Sequence, residues 1–426
     1  MKACTLRICI SLASASWFLI GCNLGVTTNP QTLERRTNKN RIDARDSVER
    51  GSANQESGTK NNDSRTENGS SGTPGNQDNV SIPPPPSTNT GQPGGTKDVA
   101  ELIEKGAAAI DREFITSELS YLSSDALQGR LTGSDGNRTA ATHIAEKFRS
   151  FGLEPGGTGG TSYLQNFSVN HRRTNGTVRT DNIIGILPGN GRSDEIIVLG
   201  AHMDHIGTTG NEIYNGADDN ASGTVAILAA AKALAPLKSL LDRDIVIMAF
   251  SGEELGLLGS SFFLQNPTIP KDKIAYMLNL DMVGYGEGRV YGIRFDGLSA
   301  IQGLLTERAN RYEIDVLFDN SKDGASDHVP FARAGIIATV FHTGLHTNYH
   351  EVTDTEEKID LDSLLAISKL TFDLIANAAN MPNNFFARSL TLRSNSTHSK
   401  GMGLHGQILQ PFFWDEQEVA DFIHSH

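Results

Sequence analysis

The chain has 426 residues, 38% hydrophobic and 20% charged, with a formal net charge of -13 and no dense Lys/Arg stripe, which excludes a nucleic-acid partner. All three cysteines, Cys4, Cys9 and Cys22, lie in the first 22 residues. The mature fold is therefore expected to have no internal disulfide, and any metal in it must be held by imidazole and carboxylate.

Lys2 and Arg7 lead into an apolar run from Ile8 to Ile20, shorter than the roughly 20 residues a spanning helix needs. The run reads as an export signal. It ends in Leu19-Ile20-Gly21-Cys22, which resembles the lipobox of bacterial lipoproteins. That resemblance implies a signal peptide over 1–22, lipidation of Cys22 and a lipid anchor at a membrane. Asn23, where an Asp would signal retention, implies the outer membrane, on its periplasmic or surface face. An ordinary secretory signal with an incidental cysteine is the alternative. Residues 23–97 are rich in Asn, Ser, Gly and Pro, including Pro83 to Pro86, and almost lack aliphatic side chains. Such a stretch buries too little apolar area to offset chain entropy and is expected to be a disordered linker, with a reach of about 45 to 50 Å as a flexible coil.

Regular patterning starts near Val99, where Leu102, Ile103, Ile110, Phe114, Ile115, Leu119 and Leu122 recur at helical spacing. A second helix is predicted over Asn137 to Phe151. Apolar runs at Asn182 to Leu187, Ile196 to Ala201, Ile245 to Phe250 and Ile274 to Leu280 read as strands, most of them buried on both faces. Helices over Ser222 to Leu234, Leu255 to Gln265 and Leu298 to Arg311 alternate with them. Further strands are predicted at Arg289 to Ile293 and Ile336 to Phe341, and a closing helix at Leu361 to Ala379. Strands alternating with helices predict an α/β fold, a three-layer α/β/α sandwich around a mostly parallel mixed sheet. One catalytic domain is expected over 98–382, with 383–426 an extension of unplaced structure that holds an apolar island from Ile408 to Trp414.

The chemistry gathers where predicted strands end. His202 and Asp204 stand in GAHMDHIG, Asp218 and Asp219 in NGADDNASG, Glu253 and Glu254 in FSGEELG, Asp281 in NLDMVG, and His350 in NYHEVTDT. Open α/β sheets collect ligands at the carboxyl ends of their strands, and five such donors with a spare carboxylate are what a two-zinc hydrolase needs. The Asp204 carboxylate is placed to accept the second ring N–H of His202 and fix its tautomer. Adjacent Glu253 and Glu254 repel one another, which suits one ligand and one proton carrier. Each motif alone has a plainer reading: a hydrogen-bonded histidine, a helix-capping loop, an acidic first turn.

Together with LSSDALQGRLTGSDGNRTAATHIAEKF, GASDHVPF and FHTGLHTNYHEVTDTEEKID, these motifs stand in the order of the zinc aminopeptidases of clan MH, of the bacterial leucyl aminopeptidase and aminopeptidase Y type. The resemblance spans about 110–380. It implies two Zn2+ per chain, with His202 and Asp281 on one, Glu254 and His350 on the other, and Asp219 bridging. It makes Glu253 the general base, Tyr349 an oxyanion stabiliser and Asp218 a supporting residue, and implies a cis peptide after Asp219. His205, His328, His342 and His346 are expected to stand behind the ligands or to serve structure alone, and Asp327 to support the rim rather than bind metal. The implied substrates are peptides with a free amino terminus. Two alternatives stay open: a single-zinc enzyme of the glutaminyl cyclase kind, and a catalytically silent surface binding domain.

Overall fold

A computed structural model describes residues 96–171, 176–322 and 324–387. Residues 1–95, with Cys22 and nearly all of the expected linker, and the extension beyond 387 lie outside the described residues.

The strands are β1 (Glu154–Pro155), β2 (Leu164–His171), β3 (Gly176–Leu187), β4 (Ile196–His202), β5 (Gly207–Thr209), β6 (Glu212–Tyr214), β7 (Asp244–Phe250), β8 (Ile274–Leu280), β9 (Arg289–Ile293), β10 (Asp315–Phe318) and β11 (Ile337–His342). The helices are α1 (Thr96–Ala108), α2 (Arg112–Leu122), α3 (Asp135–Phe151), α4 (Gly223–Leu234), α5 (Leu258–Gln265), α6 (Ser299–Arg311), α7 (His328–Arg333) and α8 (Leu361–Ala379). One nine-stranded sheet runs β1-β3-β7-β4-β8-β11-β9-β10, with β2 paired to β3; β5 and β6 form a separate hairpin. Its centre, β7-β4-β8-β11, is parallel, while β3 pairs antiparallel with β7 and β9 antiparallel with β11.

The central strands show why this sheet is covered on both sides. In β7, Ile245, Ile247 and Ala249 join one apolar core while Val246, Met248 and Phe250 join the other. β4 divides likewise, with Ile197, Leu199 and Ala201 on one face and Ile196 and Val198 on the other. Successive side chains on a strand point to opposite faces, so a run with no polar residue needs helices on both. The larger core holds α1 to α4, α6 and α8, and the smaller one takes Phe263 from α5 and Phe331 from α7. α4 is buried on nearly its whole circumference, which accounts for its apolar composition.

Three local differences from the sequence reading have physical causes. The first helical pattern is two helices, because Asp111 adopts extended backbone and its side chain accepts from the Phe114 N–H, capping a new start. The helix expected from Leu255 starts at Leu258, since Gly256 and Leu257 take positive φ. The core also runs past Pro382. Phe386 is buried and stacks on Tyr276 with centroids 5.1 Å apart, so part of the expected extension packs as core. Strands β1, β2, β5, β6 and β10 were not read from the sequence; β2 alternates buried and exposed side chains, as a strand open to solvent on one face does.

Candidate metal centre

Three neighbouring parallel strands deliver the first residues. β4 lies between β7 and β8, so the chain leaves β4 for one side and later returns to the other, which opens a crevice at the carboxyl ends. His202 is the last residue of β4, Asp281 follows β8 directly, and Glu253 and Glu254 follow β7 after Ser251-Gly252. Asp219 comes from the wide turn Ala217–Ser222 that leads into α4, and the Asp219–Asn220 peptide is cis.

Asp219 offers its two oxygens in different directions. Oδ1 lies 3.3 Å from His202 Nε2, and Oδ2 lies 3.0 Å from His350 Nε2. His202 Nε2 is also 3.4 Å from Asp281 Oδ1, and His350 Nε2 is 3.4 Å from Glu254 Oε2. Two ligand atoms on one tetrahedral zinc, each about 2.0 to 2.1 Å from it, stand about 3.3 to 3.4 Å apart. The donor spacing therefore fits two cations sharing Asp219. Four carboxylates, Asp219, Glu253, Glu254 and Asp281, crowd the cluster, and two divalent cations match that charge; the donors are nitrogen and oxygen throughout, as zinc accepts. Among the described residues, two groups of side chains are close enough to hold a metal, His202–Asp219–Asp281 and His205–Asp219–Glu254. The second brings in His205, which the sequence reading treated only as support.

The charges perturb one another strongly. Burial alone would lower His202, but the Glu253 and Asp281 carboxylates and the Asp219 bond hold it well above the ordinary histidine range. His350 follows the same pattern: burial opposes protonation, and the Asp219 bond and Glu254 outweigh it, raising the ring to about 9. Glu253 is pushed well above the carboxylate range by burial, with Glu254 and Asp281 adding to the rise.

Supporting residues fix the loops. His202 Nδ1 donates to the Asp204 backbone carbonyl at 3.2 Å, while the Asp204 carboxylate stands 3.9 Å away. The carboxylate instead accepts from Thr132 Oγ1 and the Glu253 N–H, so the tautomer is set by main chain rather than by the acid expected. Asp218 accepts from Gly284 N and Ser222 Oγ, and its Oδ2 lies 2.9 Å from His346 Nε2. Asn220 donates to the Leu280 carbonyl and accepts from Gly223 N and Met282 N, clipping the bridge loop to the end of β8. Tyr349 stacks on His350 with centroids 3.8 Å apart and lines the cavity; burial and then Asp219 and Glu254 raise its pKa.

Two contributors escaped the sequence reading. Asp354 accepts from the backbone N–H groups of both Asp218 and Asp219, and so holds the bridge loop by its main chain. Its only signal was an acid in the tail of the His350 motif, and the paired N–H groups it serves are distant in sequence. Arg130 is fully buried and donates to the carbonyls of Leu122, Met203, Asn215 and Gly216, tying three segments beneath the site. The cluster opens into a cavity of about 610 Å³, whose walls beyond the acids include Met282, Tyr291, Ile293, Val340 and Leu345.

Residues 182–375 match the model of Peptidase family M28. The chain is 28% identical over 309 residues to leucine aminopeptidase 1 of Arthroderma otae, covering 66% of this chain and 77% of that protein. It is 33% identical over 198 residues to aminopeptidase YwaD of Bacillus subtilis, covering 43% of this chain and 42% of that one. Among solved structures, it resembles BSAP, a zinc aminopeptidase from Bacillus subtilis, with a TM-score of 0.52 at 19% identity over 63% of this chain and 95% of that one. The LapA aminopeptidase of Legionella pneumophila gives a TM-score of 0.53 at 22% identity, covering 66% and 75%. These two likenesses show the zinc-exopeptidase fold. Over residues 182–375, this chain is similar to Peptidase family M28.

Proposed function

We propose that this protein is a two-zinc aminopeptidase that removes N-terminal residues from peptides. Metallo-exopeptidase activity is the coarser part of that reading, and the family match and relatives that are leucine and zinc aminopeptidases support it. The observation that carries the finer part is Asp219, with one oxygen 3.3 Å from His202 and the other 3.0 Å from His350. His202 and Asp281 would hold one zinc, Glu254 and His350 the other, and Asp219 both. When bound, the pair lowers the pKa of a water toward neutrality and polarises a carbonyl.

The chain's own groups supply the rest. Glu253, buried at the cavity wall, takes a proton from the attacking water and returns it to the departing amine. Tyr349 lines the same cavity, and burial together with the carboxylates around it keeps its phenol protonated, so it can donate to oxygen as negative charge develops there. The apolar wall of the cavity, with Met282, Ile293 and Val340, takes a substrate side chain.

Glu253→Gln is expected to lower turnover of an aminoacyl amide by about 10²- to 10⁴-fold while zinc stays near two per chain. Undiminished activity would remove the proposed base, and one zinc in the wild type would favour the cyclase-like reading. We also propose Cys22 as the lipidation site of an outer-membrane lipoprotein, on the Leu-Ile-Gly-Cys sequence. Cys22→Ala should move the protein from the membrane to the soluble fraction; an unchanged membrane share would defeat that assignment.

A further inference from the structure

We propose that His205 is a positioning residue for Glu254, which selects the carboxylate oxygen that faces the second metal. The inference rests on the two-zinc reading and goes beyond its ligand set. His205 follows the end of β4 and is completely buried. Gly216, with φ +57°, closes over its ring: a Cβ there would stand 2.5 Å from two ring carbons, so the loop needs glycine at that position. The His205 backbone N–H donates to the Arg130 carbonyl, which anchors the other side.

His205 Nδ1 stands 2.8 Å from Glu254 Oε1 and 3.7 Å from Asp219 Oδ2. The shorter distance is hydrogen-bond length, and it lies further below the spacing of two donors on one tetrahedral zinc, about 3.3 to 3.4 Å, than any proposed ligand pair does. The His202–Asp219, His202–Asp281 and His350–Glu254 pairs, at 3.3, 3.4 and 3.4 Å, do show that spacing, and the shortest of the proposed ligand pairs, His350–Asp219 at 3.0 Å, is still longer than the His205–Glu254 contact. So the proton sits on His205 Nδ1 and is donated to Oε1. Oε2 is left on the side of His350. His205 Nε2 is buried with no hydrogen-bond partner among the described residues, which leaves the bond to Glu254 as the one that orients the ring. Outer partners of metal-binding carboxylates typically change metal affinity 10- to 100-fold, so the second metal is the one this bond governs.

The test measures zinc rather than turnover. Wild type, His205→Ala and His205→Asn are titrated with chelators of graded strength, zinc per chain is counted, and the cobalt-substituted proteins are compared by visible absorption. His205→Ala should bind the second metal about 10- to 100-fold more weakly with the first unaffected, and recover most of its turnover at saturating zinc. His205→Asn, whose amide can donate from nearly the same place, should recover part of the affinity. Equal affinity for both metals in wild type and His205→Ala overturns the proposal. A cobalt spectrum of His205→Ala with one fewer nitrogen donor overturns it too, by making His205 a ligand. If His205→Ala does not fold, by circular dichroism, His205→Asn decides: wild-type affinity or a partial loss supports donation, and complete loss of the second metal opposes it. Failure of the wild type to hold two zincs would defeat the functional reading instead.

Discussion

His202 and Asp281 sit at the very ends of β4 and β8, whereas Glu254 and His350 reach the same bridging aspartate from a turn and from a loop well past β11. The first pair is placed by a sheet whose register is set by two apolar cores. Neither residue of the second pair ends a strand: Glu254 follows β7 only after the Ser251-Gly252-Glu253 turn, and His350 holds a positive φ of 57° with its side chain 19% exposed. That pair is braced from the side, by Tyr349 stacked on His350 and His205 bonded to Glu254. A strand end positions a ligand through packing of the whole sheet; a loop ligand needs partners of its own.

The largest effect tests what the two halves share. Asp219→Ala removes both facing oxygens, so zinc per chain should fall below one and turnover by more than about 10³-fold, since the metals supply the activated water. Two zincs retained in that variant would mean the halves do not share a bridge. Next in size is the contrast itself. In a graded chelator titration the wild type should lose one zinc at least about tenfold more readily than the other, and His350→Ala should retain the tighter one. Release of both metals in a single step, or retention of only the looser one in His350→Ala, would break the comparison.

The smallest effect lies outside the site and shows what an ordinary buried ion pair does here. Glu118 is buried with His143 Nε2 at 2.6 Å and Lys147 Nζ also bonded to it. Burial alone would raise its pKa, but those two bonds outweigh it and hold the carboxyl below its ordinary value. A depressed carboxyl stabilises the fold fully above its unfolded pKa, and that share is lost as pH falls through the folded value. Glu118→Gln should therefore lower stability by about 1 kcal/mol at pH 7, with the gap to wild type closing below about pH 4. A gap that stayed constant from pH 7 to pH 3 would show that the charge of Glu118 contributes nothing.

The strand-end ligands were legible because a buried parallel strand is an uninterrupted apolar run, and His202 and Asp281 break such runs abruptly. Asp354 was not legible, because it works by accepting from main-chain N–H groups, which every residue carries and no motif marks. The Asp204 assignment shows the same blindness. His-x-Asp suggests a carboxylate partner for the ring, yet the backbone carbonyl two residues on lies closer, at 3.2 Å. Strand β10, largely exposed and only four residues long, carried too little hydrophobic pattern to be read.

Composition and periodicity alone determined the α/β/α layering and the rim on which acids and imidazoles collect, because burying a two-sided apolar strand leaves few ways to cover it. Only the folded chain decided which oxygen of Asp219 turns to which histidine, and that His205 rather than a more distant group holds Glu254. Those choices depend on loop closure between segments far apart in sequence, where distances of a few tenths of an ångström separate a ligand from the residue that orients it.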